Sequence, residues 1–328
     1  MTDLTNPIFS DADKAREHLE ALRWPNGPVC PHCGGTHEAV SRVENTGKKT
    51  KSEYKGGKHR PARKGLYYCN ACKEQFTVQV GTVLEKSHVP LNKWLAAFYL
   101  MCASKKGYSA HQLHRTLKVS YKTAWFMSHR IREAMRKGGL ASPAPMGGAG
   151  EIVEVDETYI GRNQLYKNFK NVRGFQHKHT VLTLVQRNGE ARSFHVDRTS
   201  AADIVPVVKA NIDKETTVAT DEANYYFTLG EHFAEHGTVN HRAEEWKRGE
   251  ISTNTVEGYF SIFKRGMKGV YQHCSEKHLH RYLAEFDFRY NNRVKLGVND
   301  EARAARAVEG VVGKRLTYRT TGGTRRGA

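Results

Sequence analysis

Ile152-Val153-Glu154-Val155-Asp156 is an apolar-rich run that closes on a carboxylate, and it marks the point where the chain changes period. Upstream, Leu91, Trp94, Leu95, Phe98 and Met101 recur on one helical face within a helical region from 91 to 136 that follows Pro90. From Glu151 onward the pattern is extended. His179-Thr180-Val181-Leu182-Thr183-Leu184-Val185 and Ala191-Arg192-Ser193-Phe194-His195-Val196 are two more strands. They are joined by Arg187-Asn188-Gly189-Glu190, whose Asn-Gly pair is a hairpin turn signal. Ser200 caps a helix that places Ile204, Val207 and Val208 inside, and Thr216-Thr217-Val218-Ala219-Thr220-Asp221 is a fourth strand ending on a second carboxylate. A helix around Tyr225 to Glu235, a fifth short strand at Thr238-Val239-Asn240, and a helix from Asn254 to Met267 carrying Glu257 complete the series.

Three strands in a meander followed by alternating helix and strand is the order of the ribonuclease H-like α/β fold, a mixed sheet with flanking helices. In that order the first and fourth strands lie side by side, so Asp156 and Asp221 converge at adjacent strand ends and Glu257 closes the cluster from a later helix. Glu157 points to the opposite sheet face. Three converging acids can hold two divalent ions roughly 3.5 to 4 Å apart, one activating an attacking hydroxyl and one stabilising a leaving oxygen. Hard oxygen ligands suit Mg2+ or Mn2+. Each residue also has a plainer reading: aspartate commonly ends strands, and Glu257 with Lys264 fits a solvated helix face.

The amino-terminal part carries different chemistry. Ser10 is a candidate cap for a short helix with Asp11 and Asp13 in its first turn, and Trp24-Pro25-Asn26-Gly27-Pro28 stops it. Cys30-Pro31-His32-Cys33 and Cys69-Asn70-Ala71-Cys72 are two C-x-x-C knuckles, which supply the four thiolates of a tetrahedral structural zinc. The gap between them, from Gly34 to Tyr68, exceeds the roughly 15 to 20 residues of a compact site. It holds Arg42, Lys48, Lys49, Lys51, Lys55, Lys58, Arg60, Arg63 and Lys64, a basic insertion suited to phosphate contact or simply to solvation. Cys102 lies in an apolar stretch and reads as core filler, and Cys274 as inert. Ser109 to Leu117, a turn at Lys118-Val119-Ser120, and a helix capped by Ser120 have the layout of a helix-turn-helix. Tyr121, Lys122 and Thr123 then stand where base edges are read, with Arg130 further along the same helix; an ordinary helical hairpin with a basic face fits the same pattern.

These readings divide the chain into an N-terminal helix (1–25), a zinc ribbon with basic insertion (26–88), a helix-turn-helix-like region (89–137), a linker rich in Gly and Pro (138–150), a catalytic α/β domain (151–296) and a C-terminal basic tail (297–328) expected to lack order. With 52 Lys and Arg against 34 Asp and Glu, the 328-residue chain has a formal net charge of +18, which favours a polyanionic partner. No apolar run approaches the roughly 20 residues of a spanning helix, and the amino terminus lacks a signal-peptide pattern. The reading is a cytosolic nucleic-acid-binding protein without a membrane partner. His232 and His236, at helical spacing, are half of a metal site at most, and His241 is a candidate to approach the acids, though nothing in its spacing demands it.

Two segments make the reading specific. Ile152-Val153-Glu154-Val155-Asp156-Glu157-Thr158-Tyr159-Ile160-Gly161 and Ser252-Thr253-Asn254-Thr255-Val256-Glu257-Gly258-Tyr259-Phe260-Ser261-Ile262-Phe263-Lys264-Arg265-Gly266 resemble the catalytic motifs of bacterial insertion-sequence transposases of the DDE type. The resemblance is to the group with a zinc ribbon ahead of an ISXO2-like transposase domain, and it runs from Cys30 to Arg293, including Tyr290-Asn291-Asn292-Arg293. It implies an enzyme that binds the terminal inverted repeats of an element in double-stranded DNA, cleaves there, and joins the 3′-OH ends to target DNA. It also implies at least a dimer on DNA and a cytoplasmic, nucleoid-associated location. Relatives are often described with asparagine as the third catalytic residue, and Asn254 lies on the same helical face as Glu257. Glu257 is favoured because a carboxylate neutralises a metal better than an amide. Lys264, two turns on, matches a lysine thought to hold the DNA end, and Lys264, Arg265 and Lys268 are read as lining the DNA path.

Overall fold

The computed structural model describes residues 4–44, 64–137, 143–161 and 177–317. Most of the basic insertion, the first part of the linker (138–142) and the tail beyond 317 lie outside the described residues. The chain divides into two compact units, one drawn from 1–100, 113–134 and 304–328 and the other from 101–112 and 135–303.

In the first unit, α1 (Ala12–Arg23) is capped by Asp11, whose Oδ1 accepts from the N–H groups of Asp13 at 2.7 Å and Lys14 at 3.2 Å. Ser10 is therefore not the cap. Its N–H closes the preceding 3-10 turn on Pro7 O, whereas Asp11 has the extended backbone that lets a side chain turn back onto the helix start. Strands β1 (Val40–Arg42), β2 (Tyr67–Cys69) and β3 (Gln75–Phe76) form an antiparallel sheet in that order. Trp24 packs edge-on against Tyr67 and Phe76 at 5.3 and 5.9 Å.

Helices α2 (Leu91–Ala103), α3 (Ala110–Leu117) and α4 (Tyr121–Met135) follow. The turn between α3 and α4 places Lys118 at φ 49°, and Ser120 Oγ accepts from Thr123 N at 3.1 Å, capping α4 as its sequence position suggests. Cys102 is fully buried, and burial pushes its thiol up to about 12. No helix among the described residues is long and apolar enough to cross a membrane.

The second unit is built on a five-stranded mixed sheet. Strands β4 (Ile152–Ile160), β5 (His179–Gln186) and β6 (Ala191–Val196) make an antiparallel meander, with Asn188 at φ 54° in the β5–β6 turn. Helix α5 (Ala201–Asn211), capped by Ser200, leads to β7 (Thr217–Thr220), and β8 (Glu235–Thr238) follows. Both β7 and β8 run parallel to their neighbours, and the sheet order is β6-β5-β4-β7-β8. Helices α6 (Asn254–Gly266) and α7 (Glu276–Asn291) follow, and α8 (Asp300–Glu309), most of which belongs to the first unit, is the last helix among the described residues.

Four expectations change in detail. β4 does not stop at Asp156 but continues to Ile160, because β5 pairs with it as far as Ile160↔His179. The residues expected as a helix from Tyr225 form a 3-10 segment, Asn224–Glu231. The fifth strand lies earlier than Thr238–Asn240, because pairing with β7 takes in Thr217↔Glu235 through Thr220↔Thr238. Gly237 makes that strand possible: a Cβ there would stand 2.4 Å from Ile251 Cγ1. α8 lies within the segment read as a tail, with Ala307, Val308 and Val311 buried and Val83 N–H donating to Val311 O at 3.1 Å.

The alternation of β4 sorts the unit into two cores. Val153 and Val155 face α5 with Ile204, Val208 and Tyr226, whereas Ile160 faces α6 and α7 with Tyr259, Phe263 and Phe286. α7 is docked on β6 through Asp287, which accepts from Ser193 N at 2.9 Å and from Tyr259 OH at 2.6 Å; burial pushes its carboxyl up to about 6.

Glu154, also on the α6 side, is fully buried. Its carboxylate accepts from Thr255 N at 2.7 Å, Val256 N at 3.0 Å, Thr255 Oγ1 at 2.9 Å and Arg187 Nε at 2.9 Å. A strand residue thus caps the first turn of α6, satisfying N–H groups that the helix itself cannot. Glu154→Ala strands both Arg187 and those donors, and is expected to cost about 3–5 kcal/mol in a denaturant titration. A loss below about 1 kcal/mol would show that the cap is dispensable.

Candidate active site

The parallel register of β4 and β7 decides where the acids meet. The last paired residues are Glu154↔Ala219, so two residues further Asp156 and Asp221 come level along neighbouring stretches of backbone. Asp156 is mid-strand and Asp221 lies just past the end of β7, so the pair is not two strand ends. Asp156 faces α6, the same side as Glu154, and Glu257 stands in the first turn of that helix.

Electrostatics ties the three together. Burial pushes the Asp156 carboxyl well above the usual carboxylate range, and the charges of Glu157, Asp221 and Glu257 add to it. Burial raises Asp221 as well, held back by the Ala223 N–H that donates to its Oδ1 at 3.1 Å, and by the charge of His241. Such a cluster favours a bound cation, because a dication offsets both the desolvation and the mutual repulsion. The donors are all carboxylate oxygen, which fits Mg2+ or Mn2+. The three carboxylates do not form a group with every ligand atom within 4.8 Å, as the four cysteines do.

Supports surround this cluster, and His241, the candidate to approach the acids, is one of them. His241 Nε2 lies 3.5 Å from Glu257 Oε1 and 3.1 Å from Thr253 Oγ1, and its backbone N–H donates to Glu222 Oε2 at 3.0 Å. One residue thereby links the two sides, its backbone N–H on Glu222, the residue after Asp221, and its imidazole beside the carboxylate of Glu257. Its ring packs on Trp246 at 5.0 Å, and Trp246 itself is 56% exposed. On the opposite sheet face, as its position in the strand requires, Glu157 accepts from Tyr226 OH at 2.7 Å and from Tyr225 OH. Burial raises the Glu157 carboxyl against those two hydrogen bonds. The two tyrosines had no local signal, lying 68 and 69 residues from Glu157, and His241 reaches Thr253 across 12 residues.

Along α6 the exposed positions are Asn254, Glu257, Gly258, Ser261, Lys264 and Arg265, a stripe at helical spacing, and Lys268 is exposed in the π-helical turn Met267–Tyr271 that follows. Asn254 opens it, and Lys264 Nζ stands 5.8 Å over the Phe260 ring. Arg265 is tied to Ser261, its Nη2 donating to Oγ at 2.6 Å. In the first unit, Tyr121 and Lys122 are exposed at the start of α4. Arg130 is only 8% exposed, its guanidinium 4.6 Å over Phe126 and donating to Glu85 O at 3.2 Å; with Lys122 and Thr123 it lines a cleft of about 310 Å3. His232 and His236 do not act together: His232 lies 3.5 Å from Lys209 Nζ, and His236 bonds Thr220 Oγ1 at 2.9 Å.

The four cysteines gather as their spacing requires. Cys30 and Cys72, and Cys33 and Cys69, have sulfurs 3.7 Å apart, and all four sulfurs lie within 4.8 Å of one another. That is the span of a tetrahedral thiolate shell. Backbone N–H groups of Cys72 and Ala71 hold the Cys69 thiol down to about 7, favouring the thiolate a metal needs.

Residues 148–291 match the family model of the ISXO2-like transposase domain, and residues 10–75 match that of the transposase zinc-ribbon domain. The three carboxylates fall in the first segment and the four cysteines in the second. The chain is similar to the uncharacterized protein in transposable element ISH50 of Halobacterium salinarum, 28% identical over 295 residues, which cover 86% of this chain and 91% of that protein. A chain of the simian T-cell lymphotropic virus intasome in complex with PP2A regulatory subunit B56 gamma aligns over 53% of this chain and 67% of that one. At 14% identity and a TM-score of 0.27, that likeness is too slight to bear on the fold.

Proposed function

We propose that this chain, an insertion-sequence transposase with an ISXO2-like domain behind a transposase zinc ribbon, binds the ends of its element, cleaves phosphodiester bonds there and joins the 3′-OH ends to target DNA. The observation that carries this reading is the β4–β7 register, which sets Asp156 level with Asp221 within electrostatic reach of Glu257. The strand order, a meander followed by two parallel strands, supports a ribonuclease H-like fold for residues 151–296.

In this reading Asp156, Asp221 and Glu257 hold divalent magnesium or manganese, which when bound activates the attacking hydroxyl and stabilises the leaving oxygen. His241 and Thr253 orient Glu257, and Glu154 holds the helix that carries it. Lys264, Arg265 and Lys268 neutralise backbone phosphates on the far side of the same stripe. The zinc ribbon of residues 26–88 and the helix-turn-helix-like region of 89–137 recognise terminal inverted repeats in double-stranded DNA, with Tyr121, Lys122 and Thr123 at the base edges and Arg130 bracing their cleft. Pairing two element ends requires at least a dimer on DNA. The place of work is the cytoplasm, at the nucleoid.

The test is a joining assay with magnesium, a labelled element-end duplex and a supercoiled target. Glu257→Gln is expected to lower joined product by at least about 100-fold, the effect of losing a metal-holding charge. Asn254→Ala is expected to cost about tenfold, as an orienting group does. The reverse ranking would make Asn254 the third ligand. Cleaved ends with no joined product would mark a nuclease instead.

A further inference from the structure

We propose that His179, His195 and Glu276 form a second metal site on the α/β unit, one that takes Zn2+ or a similar transition-metal dication and is separate from the carboxylates of Asp156, Asp221 and Glu257. Each of the three residues offers one ligand atom, and these atoms all lie within 4.8 Å of one another. Among the described residues, only the four cysteines share that property.

The backbone explains why the imidazoles meet. β5 and β6 pair as Val181↔His195 and Thr180↔Val196, so His179 and His195 are diagonal neighbours on one sheet face. Their ring centroids are 5.4 Å apart and the planes are inclined at 72°. Two imidazoles bound to one zinc at about 2.0–2.1 Å and a tetrahedral angle place their centroids roughly 5 Å apart. The observed spacing therefore needs little adjustment. Glu276, the first residue of α7, supplies the third donor from outside the sheet.

The donor set selects the ion. Two imidazoles and one carboxylate suit zinc and its transition-metal neighbours, whereas magnesium and calcium prefer all-oxygen shells. His179 is 4% exposed, His195 is half-buried and Glu276 is exposed, so the ion would be shielded from the sheet side and open to solvent on the other. The plain alternative is ring packing with a carboxylate nearby, and it predicts no stoichiometric metal. A bound ion would clamp the start of α7 onto the β5–β6 hairpin, reinforcing the docking that Asp287 provides along the same helix.

The site does not depend on the transposase reading, and its test does not measure activity. Full-length protein is dialysed against buffered micromolar Zn2+, and bound zinc is counted by mass spectrometry of the metal. Wild type is expected to hold two equivalents, one in the ribbon. His195→Ala and Glu276→Gln are each expected to hold one, with affinity for the second lowered by more than about 100-fold. Asp156→Asn should keep both. Glu276→Gln changes an exposed side chain to its near isostere, so it decides the matter if His195→Ala misfolds. A single equivalent in wild type, or a second equivalent retained in Glu276→Gln, overturns the proposal. So does loss of the second equivalent in Asp156→Asn, which would assign that ion to the carboxylates.

Discussion

Asp156→Ala is expected to lower strand cleavage and joining by at least about 1,000-fold while leaving affinity for element-end duplex within about twofold. The loss is large because Asp156 is the most deeply desolvated member of the acidic cluster and shares its field with Asp221 and Glu257. Removing it takes away the charge that offsets a dication at the reacting phosphate, and that kind of electrostatic contribution is the largest single one in phosphoryl chemistry. Binding survives because the proposed duplex contacts lie elsewhere, along α6 and at the start of α4. Retained joining would remove Asp156 from the mechanism.

The same residue gives a second, metal-free readout. Asp156 has a folded pKa raised above its ordinary value of 3.8, so the folded state binds the proton more tightly than the unfolded chain does. Its cost to stability is absent below pH 3.8 and grows as pH rises through the folded pKa. Asp156→Asn keeps an oxygen that can accept from Glu157 N, as Asp156 Oδ1 does at 2.7 Å, but carries no charge. Without divalent ions it is expected to raise Tm by about 2–4 °C near pH 7.5, the shift that about 1 kcal/mol gives in a domain of this size. The gain should vanish toward pH 4. A variant less stable than wild type at both pH values would contradict the assignment of strain to that carboxylate.

Cys69→Ser is expected to remove the ribbon zinc and, with it, the cooperative fold of the small three-stranded module. Its strands have three, three and two residues, and its buried apolar side chains are few, Trp24, Tyr67 and Phe76 with Val78, Val83 and Leu84. A core that small does not repay the entropy of ordering the chain, so the metal is the folding energy. Hydrogen exchange should show protection lost from residues 64–76 and kept in β4 and β5, and a strong chelator should reproduce the pattern in wild type. Element-end affinity should fall at least about tenfold as the contacts of this module are lost. Protection unchanged in Cys69→Ser would mean that the module folds without its ion.

What could be read directly in the sequence was local. The two C-x-x-C knuckles, the Asn188-Gly189 hairpin, the caps at Ser120 and Ser200 and the helix bearing Glu257 are each set by residues within a few positions of one another, and each is found where it was expected. The misplaced features were those whose signal is shared with a partner. Ser10 and Asp11 are both good caps in isolation, and only the backbone conformation selects Asp11. The extent of β4 depends on β5, and the position of β8 depends on β7 and on the space beside Gly237.

The amino-acid sequence by itself determined the inventory of this protein: a thiolate knuckle pair, a basic helical region, a strand-rich unit with well-spaced acids, and a polar stripe on one helix. Tertiary structure alone decided which of these groups share a site. Parallel pairing between β4 and β7 has no turn to set its register, so the levelling of Asp156 with Asp221 is fixed by packing on both sheet faces. The same holds for Glu154, which caps a helix about a hundred residues later, for His241, which reaches Glu257, and for the meeting of His179, His195 and Glu276. Each of these contacts is set by distances across the folded core, which spacing along the chain does not encode.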